Sequence, residues 1–70
     1  MEKRELKFDR LPETLAQVGL RKTQWYAMVA RGEAPQPVRV GGRAVAWERN
    51  EVQAWMRTRL ETSRRHSHSK

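Results

Sequence analysis

Val38 to Trp47, VRVGGRAVAW, constrains this chain more than any other stretch. Two short alternating apolar runs meet at Gly41-Gly42. A Gly-Gly pair in that setting signals a two-residue β-hairpin, because glycine reaches positive φ without Cβ strain. On that register Val40 opposes Arg43, Arg39 opposes Ala44 and Val38 opposes Val45. Val38, Val45 and Trp47 then share a face that docks on the rest of the chain. Arg39 projects from the other face, and Arg43 lies beside the tip.

What the hairpin docks on is written on either side of it. Leu11-Pro12-Glu13-Thr14 reads as a helix start, with Pro12 near the first helical position and Glu13 in the first turn. Leu11, Leu15 and Val18 recur at helical spacing, and Gly19 closes the helix as a left-handed cap followed by Leu20. A second helix is expected from Lys22 to Arg31, stopping at Gly32, with Trp25, Met28 and Val29 inward and Thr23, Ala27 and Ala30 outward. Two short helices joined through Gly19-Leu20-Arg21 have helix-turn-helix spacing. Pro35 and Pro37 forbid further helix before the hairpin. A third helix is expected to begin near Asn50, with Asn50-Glu51-Val52-Gln53 as a capping box and Val52, Trp55, Met56 and Leu60 as its apolar stripe. It is expected to fray after Glu61.

The expected fold is mainly α with a small β-hairpin, a winged helix-turn-helix of three helices plus wing. Residues 1–9 form an N-terminal segment, with a short extended piece over Glu5–Arg10. Residues 10–62 form the domain, and residues 63–70 a basic tail too poor in apolar side chains to stay ordered. Seventy residues allow one small core, so the three tryptophans supply much of the burial and are read as core rather than as base-stacking platforms.

The net charge of +7 is unevenly placed. Residues 1–20 and 44–62 cancel internally. Residues 21–43 set Arg21, Lys22, Arg31, Arg39 and Arg43 against Glu33 alone, and the tail carries Arg64, Arg65 and Lys70 unopposed. Such clustering points to a polyanion, and to nucleic acid rather than membrane, because no large amphipathic apolar face accompanies it. Without cysteine there are neither disulfides nor thiolate zinc sites. No apolar run has the length of a membrane span and no signal-peptide core is visible, so a soluble, cytoplasmic chain is expected.

Catalysis finds no foothold. No Ser/His/Asp arrangement is present, and Gly41-Gly42 belongs to no phosphate-cradling motif. His66 and His68 lie two residues apart without a third ligand, so neither metal nor cofactor is expected. Binding chemistry is more coherent. The second helix offers Lys22, Thr23, Gln24, Tyr26 and Ala27 to a major groove: Lys22 for guanine or phosphate, Gln24 bidentate to adenine, Thr23 to either. Tyr26 reads equally as a half-buried aromatic or a phosphate contact, and Arg31 equally as a partner of the helix dipole or of DNA. Arg39 and Arg43 suit phosphate or minor-groove contact better than mere protection of a strand edge.

The ordered combination Gly19-Leu20, Trp25-Tyr26, Gly32-Glu33-Ala34-Pro35, Pro37-Val38, Gly41-Gly42-Arg43, Trp47, Glu51-Val52 and Ala54-Trp55, within Arg10 to Leu60, resembles the AlpA-type prophage regulators, relatives of MerR-like and excisionase winged helix-turn-helix proteins. The resemblance implies a non-enzymatic double-stranded DNA-binding transcriptional regulator of phage type. Lys22, Thr23, Gln24 and Tyr26 would be recognition-helix contacts, and Arg39 and Arg43 wing contacts. Two positions depart from the family pattern. Position 21 is usually a capping Ser or Thr, and Arg21 places like charge at the helix start. Position 27 is often a long basic residue, and Ala27 retains only a methyl contact. The rivals are an excisionase-like DNA-bending factor and an adaptor for an acidic protein partner. Specificity from one recognition helix calls for further copies on tandem sites, or for a partner such as integrase or RNA polymerase.

Overall fold

A computed structural model describes the backbone of residues 5–68 and the side chains of residues 5–65. In order along the chain come β1 (Phe8–Asp9), α1 (Leu11–Val18), α2 (Lys22–Ala30), β2 (Val38–Gly41), β3 (Ala44–Glu48) and α3 (Arg49–His68). The strands form one antiparallel sheet in the order β1-β3-β2. This is a winged helix-turn-helix: three helices and a hairpin wing, with an N-terminal strand added to the wing's inner edge.

Glycine punctuates the two short helices. Gly19 takes φ 72° and its N–H donates to the Leu15 carbonyl at 2.8 Å, ending α1. Gly32 takes φ 76° at the end of α2. Here Gly32 N–H donates to Val29 O at 3.0 Å and Glu33 N–H to Met28 O at 2.9 Å, the paired bonds of a Schellman cap. Arg21 precedes α2 without any side-chain cap bond, because a guanidinium has no acceptor to offer the first N–H groups.

The hairpin differs from the expected register. Arg39 faces Val45, Val38 faces Ala46 and Gly41 faces Ala44, with an irregularity between Arg39 and Gly41 that leaves Val40 as the extra residue. The turn is therefore Gly42-Arg43. Only Gly42 has positive φ, 50°, the φ signature of a type II′ turn. Val38 consequently lies with Ala46, on the face opposite Val45 and Trp47, and is 40% exposed. Arg39 shares the Val45 and Trp47 face instead of projecting from the other one. The reason is energetic: all four residues of β2 are exposed, so no buried face penalises a slip of that strand, and turn chemistry sets the pairing.

Helix α3 also departs from expectation at both ends. It begins at Arg49, and the side chain that serves its first turn is Glu48, whose Oε1 accepts the Glu51 N–H at 3.2 Å. The Asn50 amide donates to Glu48 Oε2 and to the Glu5 carbonyl rather than capping the helix. At the other end the helix passes Glu61 and continues to His68. No Gly or Pro interrupts that segment, each added residue extends a helix already nucleated, and Arg64 and Arg65 suit the negative end of its dipole. The side chains of His66 and His68, weighed as a metal pair, lie outside the described residues, as do Ser69 and Lys70.

The core gathers where the elements meet. Trp25, Met28, Ala34, Trp47 and Val52 are buried, flanked by Leu11, Leu15, Val18 and Trp55. Trp25 meets Trp47 at 5.9 Å between ring centroids and Trp55 edge-on at 5.4 Å. Trp47 Nε1 donates to Pro35 O at 2.9 Å and Trp55 Nε1 to Glu33 O at 2.8 Å, which ties the loop after α2 to the sheet and to α3. Trp25 Nε1 is buried without a partner.

Candidate nucleic-acid interface

The buried side of α2 determines what its other side presents. With Trp25 completely buried and Met28 nearly so, the 100° step of the helix leaves Lys22, Thr23, Gln24, Ala27 and Ala30 exposed. Tyr26 is 40% exposed, and its ring lies 6.3 Å from that of Trp47, so it marks the flank of α2 nearest the sheet. The partly packed ring fits the half-buried aromatic that the sequence allowed.

All eight expected contact residues are exposed: Lys22, Thr23, Gln24, Tyr26, Ala27, Arg31, Arg39 and Arg43. They differ in how free they are. Arg31 donates to Glu33 Oε1 at 3.0 Å, and that contact raises the Arg31 pKa and lowers the Glu33 pKa, each chiefly through the hydrogen bond itself. The Schellman cap creates this pair, since it turns Glu33 back toward the end of α2. Arg31 is thus engaged within the molecule. Among the described residues, Arg21, Lys22, Arg39 and Arg43 form no ion pair.

The wing places its two arginines differently. Arg43 occupies the turn at the tip, whereas Arg39 sits along β2 opposite Val45, on the sheet face that carries Trp47. Because the Tyr26 ring also approaches Trp47, α2 packs on the sheet face that Arg39 shares. The corrected register thereby brings a wing cation to the sheet face on which α2 packs.

Behind this surface a polar cluster holds the sheet to the helices. Asp9, 4% exposed, accepts hydrogen bonds from Arg49 Nε and Arg49 Nη2, each at 2.8 Å, and from Gln17 Nε2 at 2.8 Å. The Arg49 hydrogen bonds are the largest influence on Asp9 and lower its pKa against the opposing effect of burial. For Glu48 burial pushes upward most strongly. The N–H groups of Asn50, Lys7 and Glu51 together outweigh it and hold the carboxyl below its usual range. Sequence reading missed this cluster, treating Asp9, Glu48 and Arg49 as charges that merely cancel. It also missed the α3 residues that line a groove beside Gln24, among them Thr62 and Ser63. Their positions were readable only with α3 extended past Glu61.

Among the described residues no group of three or more acidic or histidine side chains is placed to hold a metal ion, and no helix is long and apolar enough to cross a membrane. The family model described as Prophage CP4-57 regulatory protein (AlpA) matches residues 7–60, which run from the start of β1 well into α3. A relative from Enterobacteria phage P4, the uncharacterized protein ORF88, is 39% identical over 59 residues, covering 84% of this chain and 67% of its own length. No solved structure matches significantly. With the family model spanning the wing, both short helices and the start of α3, the chain belongs to the AlpA family of prophage regulatory proteins.

Proposed function

We propose that the protein is a sequence-reading, double-stranded DNA-binding transcriptional regulator, with α2 in the major groove and the wing on the backbone or minor groove. The observation that carries this reading is the combination of an exposed α2 face, Lys22-Thr23-Gln24 with Ala27, and cations on the adjoining wing that form no ion pair among the described residues. Gln24 reads a base edge, Thr23 and Lys22 contact base or phosphate, and Ala27 meets a thymine methyl. Arg43 and Arg39 supply phosphate attraction and register, and the Tyr26 hydroxyl adds a backbone contact. Arg31, tied to Glu33, contributes least. Further copies on tandem sites, or integrase or RNA polymerase, are the partners that such a short reading head calls for.

The test is salt-dependent binding to duplexes selected from a random pool. About 4–6 neutralised phosphates give a log–log slope near −0.9 for each. Arg43→Ala weakens binding to all sequences alike, whereas Gln24→Ala changes preference at one base position. Unchanged affinity of Arg43→Ala at physiological salt would remove the wing from the interface. Absence of any duplex binding at low salt would end the DNA reading altogether.

A further inference from the structure

An open groove of about 790 Å³ separates α2 from the second half of α3. Its walls include Met28 and Met56, and its polar lining is supplied by Gln24 from α2 and by Thr58, Arg59, Thr62 and Ser63 from α3. Gln24 and Tyr26 are two residues, or about 200°, apart on the helix and mark opposite flanks of α2. The Tyr26 flank adjoins the sheet through Trp47, and the Gln24 flank adjoins α3 through the groove. The exposed face of α2 is therefore bracketed, by the wing on one side and by the second half of α3 on the other.

A duplex seated on that face presents phosphates along both walls of its major groove, which is about 12 Å wide. The wing reaches one wall. We propose that Arg59, Thr62 and Ser63 of α3 form a second phosphate-binding element, gripping the opposite backbone strand on the Gln24 flank. The proposal rests on the DNA-binding reading. Arg59 lies over the Trp55 ring with its guanidinium carbon 5.1 Å from the centroid, a cation–π contact that holds the charge at the groove, where its N–H groups can donate to an anion. Glu33 is close enough for its carboxyl to feel the Arg59 charge, but its carboxylate is already bonded to Arg31. Thr62 and Ser63 are exposed hydroxyls on the next turn, fit to donate to phosphate oxygens. Thr58 is excluded from the set because its hydroxyl already donates to Ala54 O at 3.1 Å.

The experiment is fluorescence anisotropy of a labelled, pool-selected duplex with the full chain across a salt series. Arg59→Gln is expected to lower affinity roughly tenfold and to reduce the salt slope by about 1, with base preference unchanged. Arg59→Lys keeps the charge and restores the slope. Thr62→Glu, at an exposed position, lowers affinity by repulsion and keeps the test decisive if Arg59→Gln fails to fold. Arg57→Gln removes an equal charge outside the groove and is expected to cost far less. Wild-type affinity and slope for both Arg59→Gln and Thr62→Glu would overturn the proposal, as would an equal loss for Arg57→Gln. Capture of an acidic peptide in the groove, with DNA affinity untouched by these changes, would overturn it in favour of a protein ligand. Failure of the unaltered chain to bind DNA is a separate result, and it rejects the underlying reading instead.

Discussion

Asp9 and Arg49, forty residues apart, form a two-pronged ion pair with both bonds at 2.8 Å, joining the N-terminal strand to the first turn of α3. The carboxylate is buried and the guanidinium is 38% exposed, so the two partners are not equivalent. Removing the arginine strands a buried charge, while removing the charge of the aspartate leaves a cation that reaches water. Asp9→Asn is expected to cost about 1–3 kcal/mol in urea unfolding, and Arg49→Ala to cost more. An equal or reversed order would show that burial of Asp9 does not govern the pair.

The same carboxylate gives stability a pH dependence. Asp9 and Glu48 both have pKa values lowered in the folded protein, Asp9 chiefly by Arg49 and Glu48 by the N–H groups that outweigh its burial. A lowered folded pKa contributes stability that is fully present above the ordinary carboxylate pKa, about 4, and is lost as pH falls through the folded value. Unfolding midpoints should hold steady from neutral pH down to about 5 and fall below that. In Asp9→Asn the fall should be shallower, which thermal melts across acid pH would measure.

The two glycines of the wing are separable. Gly42 has φ 50°, whereas Gly41 has ordinary φ, and an added Cβ meets nothing within 4 Å at either position. Gly42→Ala should cost about 1–2 kcal/mol for left-handed backbone, and Gly41→Ala should be close to neutral. A larger cost at Gly41 would restore the Gly41-Gly42 turn.

The tryptophans divide by their indole N–H groups. Trp25 and Trp47 are both fully buried, but only Trp47 has a partner, the Pro35 carbonyl. Replacement by Phe leaves a similar void at each site. Trp47→Phe should nonetheless be costlier by roughly 1–2 kcal/mol, because it orphans an acceptor where Trp25→Phe discards an unpaired donor. Chemical denaturation of the two variants provides the comparison.

Arg31 carries a functional prediction of opposite sign to its charge. Held by Glu33, it should matter little for DNA affinity, and Glu33→Gln should bind DNA more tightly than the parent by freeing Arg31 and removing an acid beside Arg59. Anisotropy titrations of Arg31→Ala and Glu33→Gln test this. A large loss with Arg31→Ala would return that residue to the interface.

Legibility followed the range of the interaction. Trp25 and Met28 set the phase of α2, so the outward position of Lys22, Thr23, Gln24 and Ala27 could be read from a 3.6-residue period. Gly19 and Gly32 announced their helix ends because only glycine sits easily at φ 72° and 76°. The start of α3 was not legible, since Asn50 and Glu48 are both competent acceptors. What favours Glu48 is its buried position beside Lys7, from a distant part of the chain. The end of α3 was misread from tail composition, which ignores the small cost of prolonging an existing helix.

By itself, then, the amino-acid order of this chain determined two capped helices, a hairpin with glycine in its turn, three core tryptophans and a basic middle segment. Each depends on residues a few positions apart. Tertiary structure alone decided the pairing of Asp9 with Arg49 and the groove between Gln24 and Arg59. These rest on side chains meeting after the chain has closed on itself. An exposed strand carries no burial pattern to fix its register, and a charge shows its partner only once burial has made that partner necessary.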